Sequence, residues 1–343
     1  MSTEHEPSEP AGAGRGIREF WQWWEREGAA LASRAASGTT TELDPLTTHV
    51  AAIHPDLQWE FSPGAQTAHL LVVTAAGDPG VRAVARAWLD AAPEPDVTWG
   101  FADLRQPLPD PGAEVIEFGG HRVAFADFVA AAHRGSTSID VAVHHPVFLD
   151  IAEDDAAGLA YLALDSFLGE ELTETWIGAV TWPGEPPLDA FPLRFLGSVV
   201  RDFAAEHRDD EGNPAWMALQ GSGPTGLPVL ALAQVPLRQI TFPGFDTHLA
   251  IMIPYAEQGP DGLPTPAGLA LLREREEQLA ASFGAEGRIV AHQSHDGVRL
   301  VHAYAAPDPA IAARVAEVAA AWPGTQVVVT ADPGWALVNH LAG

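Results

Sequence analysis

The densest run of side chains able to hold a metal or move a proton is His144, His145, Asp150, Glu153, Asp154 and Asp155. Imidazole and carboxylate ligate zinc and harder divalent cations, which makes His145, Asp150 and Asp154 the candidate metal set. Adjacent strand residues point to opposite faces, so only one of the two histidines can join the acids. No H-E-x-x-H spacing accompanies them, and acids ahead of a helix are favoured by its dipole in any case. Farther along, Asp165 and Glu170 form a candidate carboxylate pair for general acid–base work. That role requires a shared cleft and separated pKa values, and the competing reading is solvated acids at helix ends.

Other motifs carry less chemistry than their spelling offers. Gly221-Ser222-Gly223-Pro224-Thr225-Gly226 matches G-x-G-x-x-G, but an apolar run of strand length follows where a dinucleotide site needs a helix N-terminus. A loop between strands is the better reading. Asp78 in the glycine-bearing turn Thr74–Gly80 is expected to cap a helix with Pro79 at its first position. No G-x-S-x-G elbow is present, which argues against a conventional serine hydrolase. Around Asp296-Gly297, a two-residue hairpin turn pairs His295 with Val298, His292 with Val301 and Ala291 with His302. His295 and His302 then share a face about 13 Å apart, too far for one metal, and His292 points to the other face.

Aromatic residues are the remaining candidates. Trp21, Trp23 and Trp24 cannot share one narrow helical face, because neighbours are about 100° apart. At least one is expected at a seam or an exposed contact, and the three form the candidate partner-binding set. Packing against the C-terminal domain, with Trp335 as a partner, is the alternative.

The elements that must position these residues are α+β. Residues 1–16, rich in Glu, Pro, Gly and Ala, are expected to be a disordered tail. A mixed α/β domain is expected over 17–235, with a helix from Ile17 to Arg34 and strands at Leu57–Phe61, His69–Thr74, Val97–Leu104 and Ile139–His144. Helices are expected at Phe125–His133, from Asp154 or Asp155 to Leu168, and over much of Leu188–His207. From 236 to 343 the order is strand (His248–Tyr255), helix (Pro264–Phe283), two strands (Arg288–Gln293, Val298–Tyr304), helix (Asp308–Ala321) and strand (Gln326–Thr330). That βαββαβ order is the ferredoxin-like arrangement, a fold that hosts many unrelated functions.

Composition narrows the chemistry. The chain has 343 residues, no cysteine and no lysine among its 18 basic residues. Disulfides, thiolate nucleophiles, cysteine-ligated metals, Schiff-base cofactors and a Walker lysine are all excluded, and no cofactor is expected. The net charge of −28 repels phosphate backbones, which argues against nucleic acid, and it favours a basic protein surface as partner. No apolar stretch approaches the length of a membrane span, and the polar, acidic N-terminus is no signal peptide, so a cytoplasmic location is expected. Oligomeric state is left open.

The segments Ile253-Pro254-Tyr255, Asp261-Gly262-Leu263-Pro264, Asp296-Gly297, His302-Ala303-Tyr304 and Asp332-Pro333-Gly334-Trp335 resemble the bacterial family catalogued as domain of unknown function 695. Phe20 to Trp24, Val73 to Gly77, Ala92-Pro93, Trp99 to Gln106 and Leu164 to Glu170 resemble the segment that commonly accompanies it. The resemblance implies no established activity, catalytic set or cofactor. More faintly, the C-terminal domain is similar to the bacterial regulator that binds and inhibits ribonuclease E. There an acidic protein occupying a basic RNA channel is the implied action. The expectation is a non-catalytic interaction or regulatory module with an acidic surface. The alternatives are a metal-dependent or carboxylate-based hydrolase and an inhibitor of a ribonuclease.

Overall fold

Four aromatic residues within five positions, Phe20, Trp21, Trp23 and Trp24, set the build of the N-terminal part. They lie on α1 (Pro10–Ser37), which packs against α2 (Asp44–Ile53). β1 (Gln58–Ser62), β2 (His69–Thr74), α3 (Arg82–Asp90) and β3 (Trp99–Ala102) complete this part. β1 and β2 are antiparallel, and β2 and β3 are parallel with α3 in the crossover. The computed structural model describes residues 10–37, 44–64 and 66–342. It divides into two compact units that part between Gln106 and Pro107.

A helix clasped from several sides can bury a wide arc, and α1 does so. Trp21, Trp23 and Trp24 are all buried, at 8, 8 and 5% exposure. Trp21 stacks on Trp88 of α3, Trp23 on His49 of α2, and Trp24 meets Trp99 of β3 edge-on. Trp21 Nε1 donates to Trp88 O at 3.1 Å, and Trp99 Nε1 donates to Gly28 O at 3.0 Å. The expectation of an exposed tryptophan on α1 is therefore corrected: α2, α3 and the sheet each claim a different sector of the helix. Trp335 stacks instead on Tyr304, 4.1 Å away. Of the expected disordered tail, residues 1–9 lie outside the described residues, and Pro10 to Gly16 form the first turns of α1. Gly16 permits this, since a Cβ there would lie 2.7 Å from Ala52 O of α2.

After β2 the chain turns through Ala76 and Gly77. Asp78 closes the turn by accepting from Gly80 N at 2.8 Å, and α3 starts later than expected, at Arg82. Arg82 is fully buried and donates to Asp103 O at 3.0 Å, while Arg86 Nε pairs with the Asp103 carboxylate at 3.0 Å. Burial pushes the Asp103 pKa up, against the pull of Arg86.

In the second unit, β4 (Val115–Phe118) and β5 (His121–Ala124) form a hairpin. β6 (Val129–Arg134), β7 (Ile139–His144), α4 (Glu153–Leu168), α5 (Glu170–Trp176), β8 (Ile177–Thr181), β9 (Phe191–Pro192) and α6 (Leu196–Glu206) follow. The strands form a sheet in the order β8-β7-β6-β9. The helix expected over Phe125–His133 is a single 3-10 turn, Phe125–Asp127, followed by β6. Its alanines have no preference strong enough to resist pairing from Val129↔His144 to Arg134↔Ile139.

The last elements are β10 (Ala215–Ser222), β11 (Pro228–Val235), β12 (Thr247–Pro254), α7 (Pro266–Phe283), β13 (Gly287–His295), β14 (Val298–Ala305), α8 (Pro309–Ala319) and β15 (Gln326–Ala331). They build an antiparallel sheet in the order β10-β11-β13-β14-β12-β15. One face packs Leu249, Ile251, Ile253 and Val301 against Leu272, Leu279 and Phe283 of α7 and Ile311 and Val315 of α8. Each such fully buried side chain contributes about 1.5–3 kcal/mol. On the other face, Ala233, Ala291 and Tyr304 meet Trp335, Val338 and Leu341. The division expected between 235 and 236 coincides with the end of β11, yet β11 hydrogen-bonds into this sheet from Leu230↔Ser294 to Ala233↔Ala291. Among the described residues no helix is long and apolar enough to cross a membrane.

Asp103→Ala leaves Arg86 without its carboxylate partner, while Arg82 keeps the backbone carbonyl of residue 103. It is expected to destabilise the N-terminal unit by about 3 kcal/mol, as for a broken buried pair, measured by denaturant unfolding followed through tryptophan fluorescence.

Candidate functional site

The structure does not bring the metal candidates together, at positions where no metal site was expected. His145 is buried, and its Nδ1 accepts from Val147 N at 3.1 Å, capping a 3-10 turn at Pro146–Leu149. Burial lowers its pKa. Asp150 and Asp154 are exposed, the latter in the first turn of α4. Among the described residues no group of three histidines or acids is arranged to hold a metal ion. Glu170 is buried at the start of α5, and Asp165 lies near the end of α4; both have partners, and neither lines the cavities described below. The glycine motif at 221–226 ends β10 with Gly221 and Ser222 and forms the turn into antiparallel β11 with the rest.

The hairpin register follows the sequence reading: His295↔Val298, His292↔Val301 and Ala291↔His302. Asp296 and Gly297 take φ of 46° and 76°, as a type I′ turn requires. His292 therefore lies on the helix-covered face. There it stands 3.2 Å from Glu276 of α7, whose same oxygen pairs with Arg299 Nε at 2.9 Å. Arg299 donates through NH1 to Ser294 Oγ at 2.8 Å. Burial lowers the Arg299 pKa, and Glu276 opposes the shift. Glu276 occupies a position in the apolar stripe Leu269, Leu272, Glu276, Leu279, and a carboxylate inside a core stripe was the available signal for this cluster. Arg299 and Ser294 gave no signal short of the register itself.

Opposite residues of antiparallel strands share a face. Leu232 pairs with His292, Leu230 with Ser294, and Ala218 with Leu232, so β10 and β11 continue the floor beside the cluster. Trp216, Leu230 and Leu232 on this floor stay 42, 39 and 38% exposed. Trp216 stacks on the His292 ring at 5.8 Å. Two cavities, about 820 and 690 Å³, lie along the cleft between this floor and α7, and Leu232, Arg273, Glu276 and His292 line both. The loop Gly259–Thr265 walls the smaller one, held by Tyr255 OH donating to Gly262 O at 2.7 Å and Gly297 N donating to the same oxygen at 3.0 Å. Asp209, Glu277 and Asp261 add acids to the lining, and Arg273 and Arg288 add bases. The cleft thus offers apolar surface around one internally compensated ionic cluster.

On the opposite face, His248 Nε2 and His302 Nδ1 are 3.0 Å apart and both rings are buried. One nitrogen donates and the other accepts, so both rings cannot be charged at once. Burial, then the charges of His248 and His340, lowers the His302 pKa to about 3. Beside it Tyr304 OH donates to Asp332 at 2.6 Å. Asp332 in turn accepts from Ala336 N and Leu337 N, fixing the C-terminal turn.

Fold and site together describe an α+β protein with an apolar cleft at the border of its larger sheet. Residues 232–341 match the model of a family of unknown function, DUF695, and that stretch carries the family's pattern. The match begins within β11, so the N-terminal motifs of the broader resemblance lie outside it. Neither the curated proteins nor the solved structures gave a match.

Because His302 is neutral in the fold and protonates near 6.5 when unfolded, acid favours the unfolded chain. Stability is expected to fall by about 1.4 kcal/mol per pH unit below about 6.5, levelling near pH 3, from this group alone. Denaturant unfolding at pH 7 and pH 5 measures it, and His302→Phe should flatten the slope.

Proposed function

We propose that the protein is a non-catalytic, cytoplasmic interaction module that holds an apolar segment of a basic partner protein in the cleft between α7 and the β10–β11 hairpin. The observation that carries this reading is the exposure of Trp216, Leu230 and Leu232 side by side on one floor. Clustered apolar exposure rimmed by charge is the build of an interaction surface, and tryptophan is the residue most enriched among binding hot spots. The net charge of −28 steers a basic partner toward the protein and makes the encounter salt-sensitive. Glu276, shared between Arg299 and His292, keeps the deeper wall of the cleft polar without a net unpaired charge, so apolar contacts carry the affinity. The ferredoxin-like reading of the βαββαβ unit fits this role, since its first helix, α7, supplies one wall and leaves the added hairpin free.

The test uses the purified chain as bait in an extract of its own organism at about 50 and 500 mM salt. A stoichiometric basic partner is expected at low salt and not at high salt. Trp216→Ala should weaken it about tenfold or more, and Leu232→Asp should abolish it with the circular dichroism unchanged. No retained partner, or one that Leu232→Asp holds equally well, contradicts the proposal.

A further inference from the structure

No aspartate, glutamate, arginine, lysine or histidine occurs in the 26 residues from Gly212 to Leu237. In a chain that is 19% charged, a stretch of that length holds about five charged residues on average. The uncharged stretch is the β10–β11 hairpin, and β10 is the end strand of the sheet. Ala215 N donates to His207 O, and residues 216–222 make backbone hydrogen bonds, among the described residues, to β11 alone. Sheets normally protect such an edge with charge, proline, a bulge or a very short strand. β10 has eight residues, a regular register with β11, and none of these devices.

We infer that β10 pairs antiparallel with β10 of a second copy of this chain, about a two-fold axis normal to the sheet. Two molecules each carrying −28 repel, and they can meet without opposing like charges along this hairpin. A closed two-fold pairing uses the same patch on both copies, which an uncharged strand satisfies. The axis keeps the helix side of both sheets on one side. The floor then runs β11-β10-β10-β11 between two α7 helices, with Trp216, Leu230 and Leu232 of both copies in one trough. The second copy thus completes the cleft of the proposed function. The inference rests on the same cleft as that reading, but its test needs the pure protein alone, so the two fail separately.

Sedimentation equilibrium of the full chain is the experiment. The expected mass is twice 36.3 kDa, with dimerisation about tenfold tighter at 500 than at 50 mM salt as repulsion is screened. That is the opposite salt response to a basic partner. Ala218→Lys and Gln220→Lys should each give monomers with unchanged circular dichroism, while Val328→Lys on β15, the other end strand, should leave the dimer intact. In this cysteine-free chain, one of Ala218→Cys, Leu219→Cys or Gln220→Cys should form a disulfide-linked dimer on oxidation, which decides the matter if the lysine variants misfold. A monomer at both salts, a dimer that survives both edge lysines, or one broken by Val328→Lys instead overturns the inference.

Discussion

The C-terminal half is governed by a mismatch between six strands and two helices. α7 and α8 cover the strands β12 to β15 and the core they share, and the hairpin β10–β11 extends the sheet past them. A sheet face left without a helix must be polar, covered or put to use. Here the floor carries Trp216, Leu230 and Leu232, and the border between covered and uncovered strands is where Glu276, His292 and Arg299 meet. That cluster is what burial at a border demands. Glu276 and Arg299 are largely withdrawn from solvent together, and the carboxylate pairs with the guanidinium, so neither charge is left without its counter-charge.

The opposite face solves the covering problem differently. Asp332 caps the C-terminal turn and accepts from Tyr304, and Trp335 lies flat on the Tyr304 ring with its indole N–H on Phe245 O. Local polar bonds and aromatic stacking seat a segment too short to bury much area by itself. The cost is a pair of neutral histidines in the interior, which ties the seating of this segment to pH. The N-terminal unit relies on one device throughout: tryptophans on α1 whose rings reach three different neighbours.

Much of this was legible in residues. Asp296-Gly297 and the alternation around it specified the β13–β14 register from His295↔Val298 to Ala291↔His302, because a two-residue turn leaves no slack, but not the bulge between Ile289 and Ala291 that shifts the pairs beyond. The βαββαβ elements were legible from their punctuation, with Asp308 and Pro309 opening α8 as expected and α7 opening at Pro266, two residues after the expected Pro264. The adoption of β10 and β11 by the C-terminal sheet was not legible, since strand pairing across a long connection leaves no local trace. β6 was misread because its alanines favour a helix, a weak local preference that pairing with a neighbouring strand overrides. The tryptophans of α1 were misplaced because helical periodicity counts faces, and says nothing of how many partners surround them. Of the candidate site, His292 was placed on its correct face, while Glu276 was not singled out.

The central claim is that the cleft floor receives the basic partner. Amide hydrogen exchange of the full chain, alone and with its salt-sensitive partner bound, tests it most directly. The account predicts new protection at residues 230–234 and along α7, with α1 and β1 to β3 unchanged. Protection confined to the segment from His144 to Asp155, or absent from β11, would contradict it.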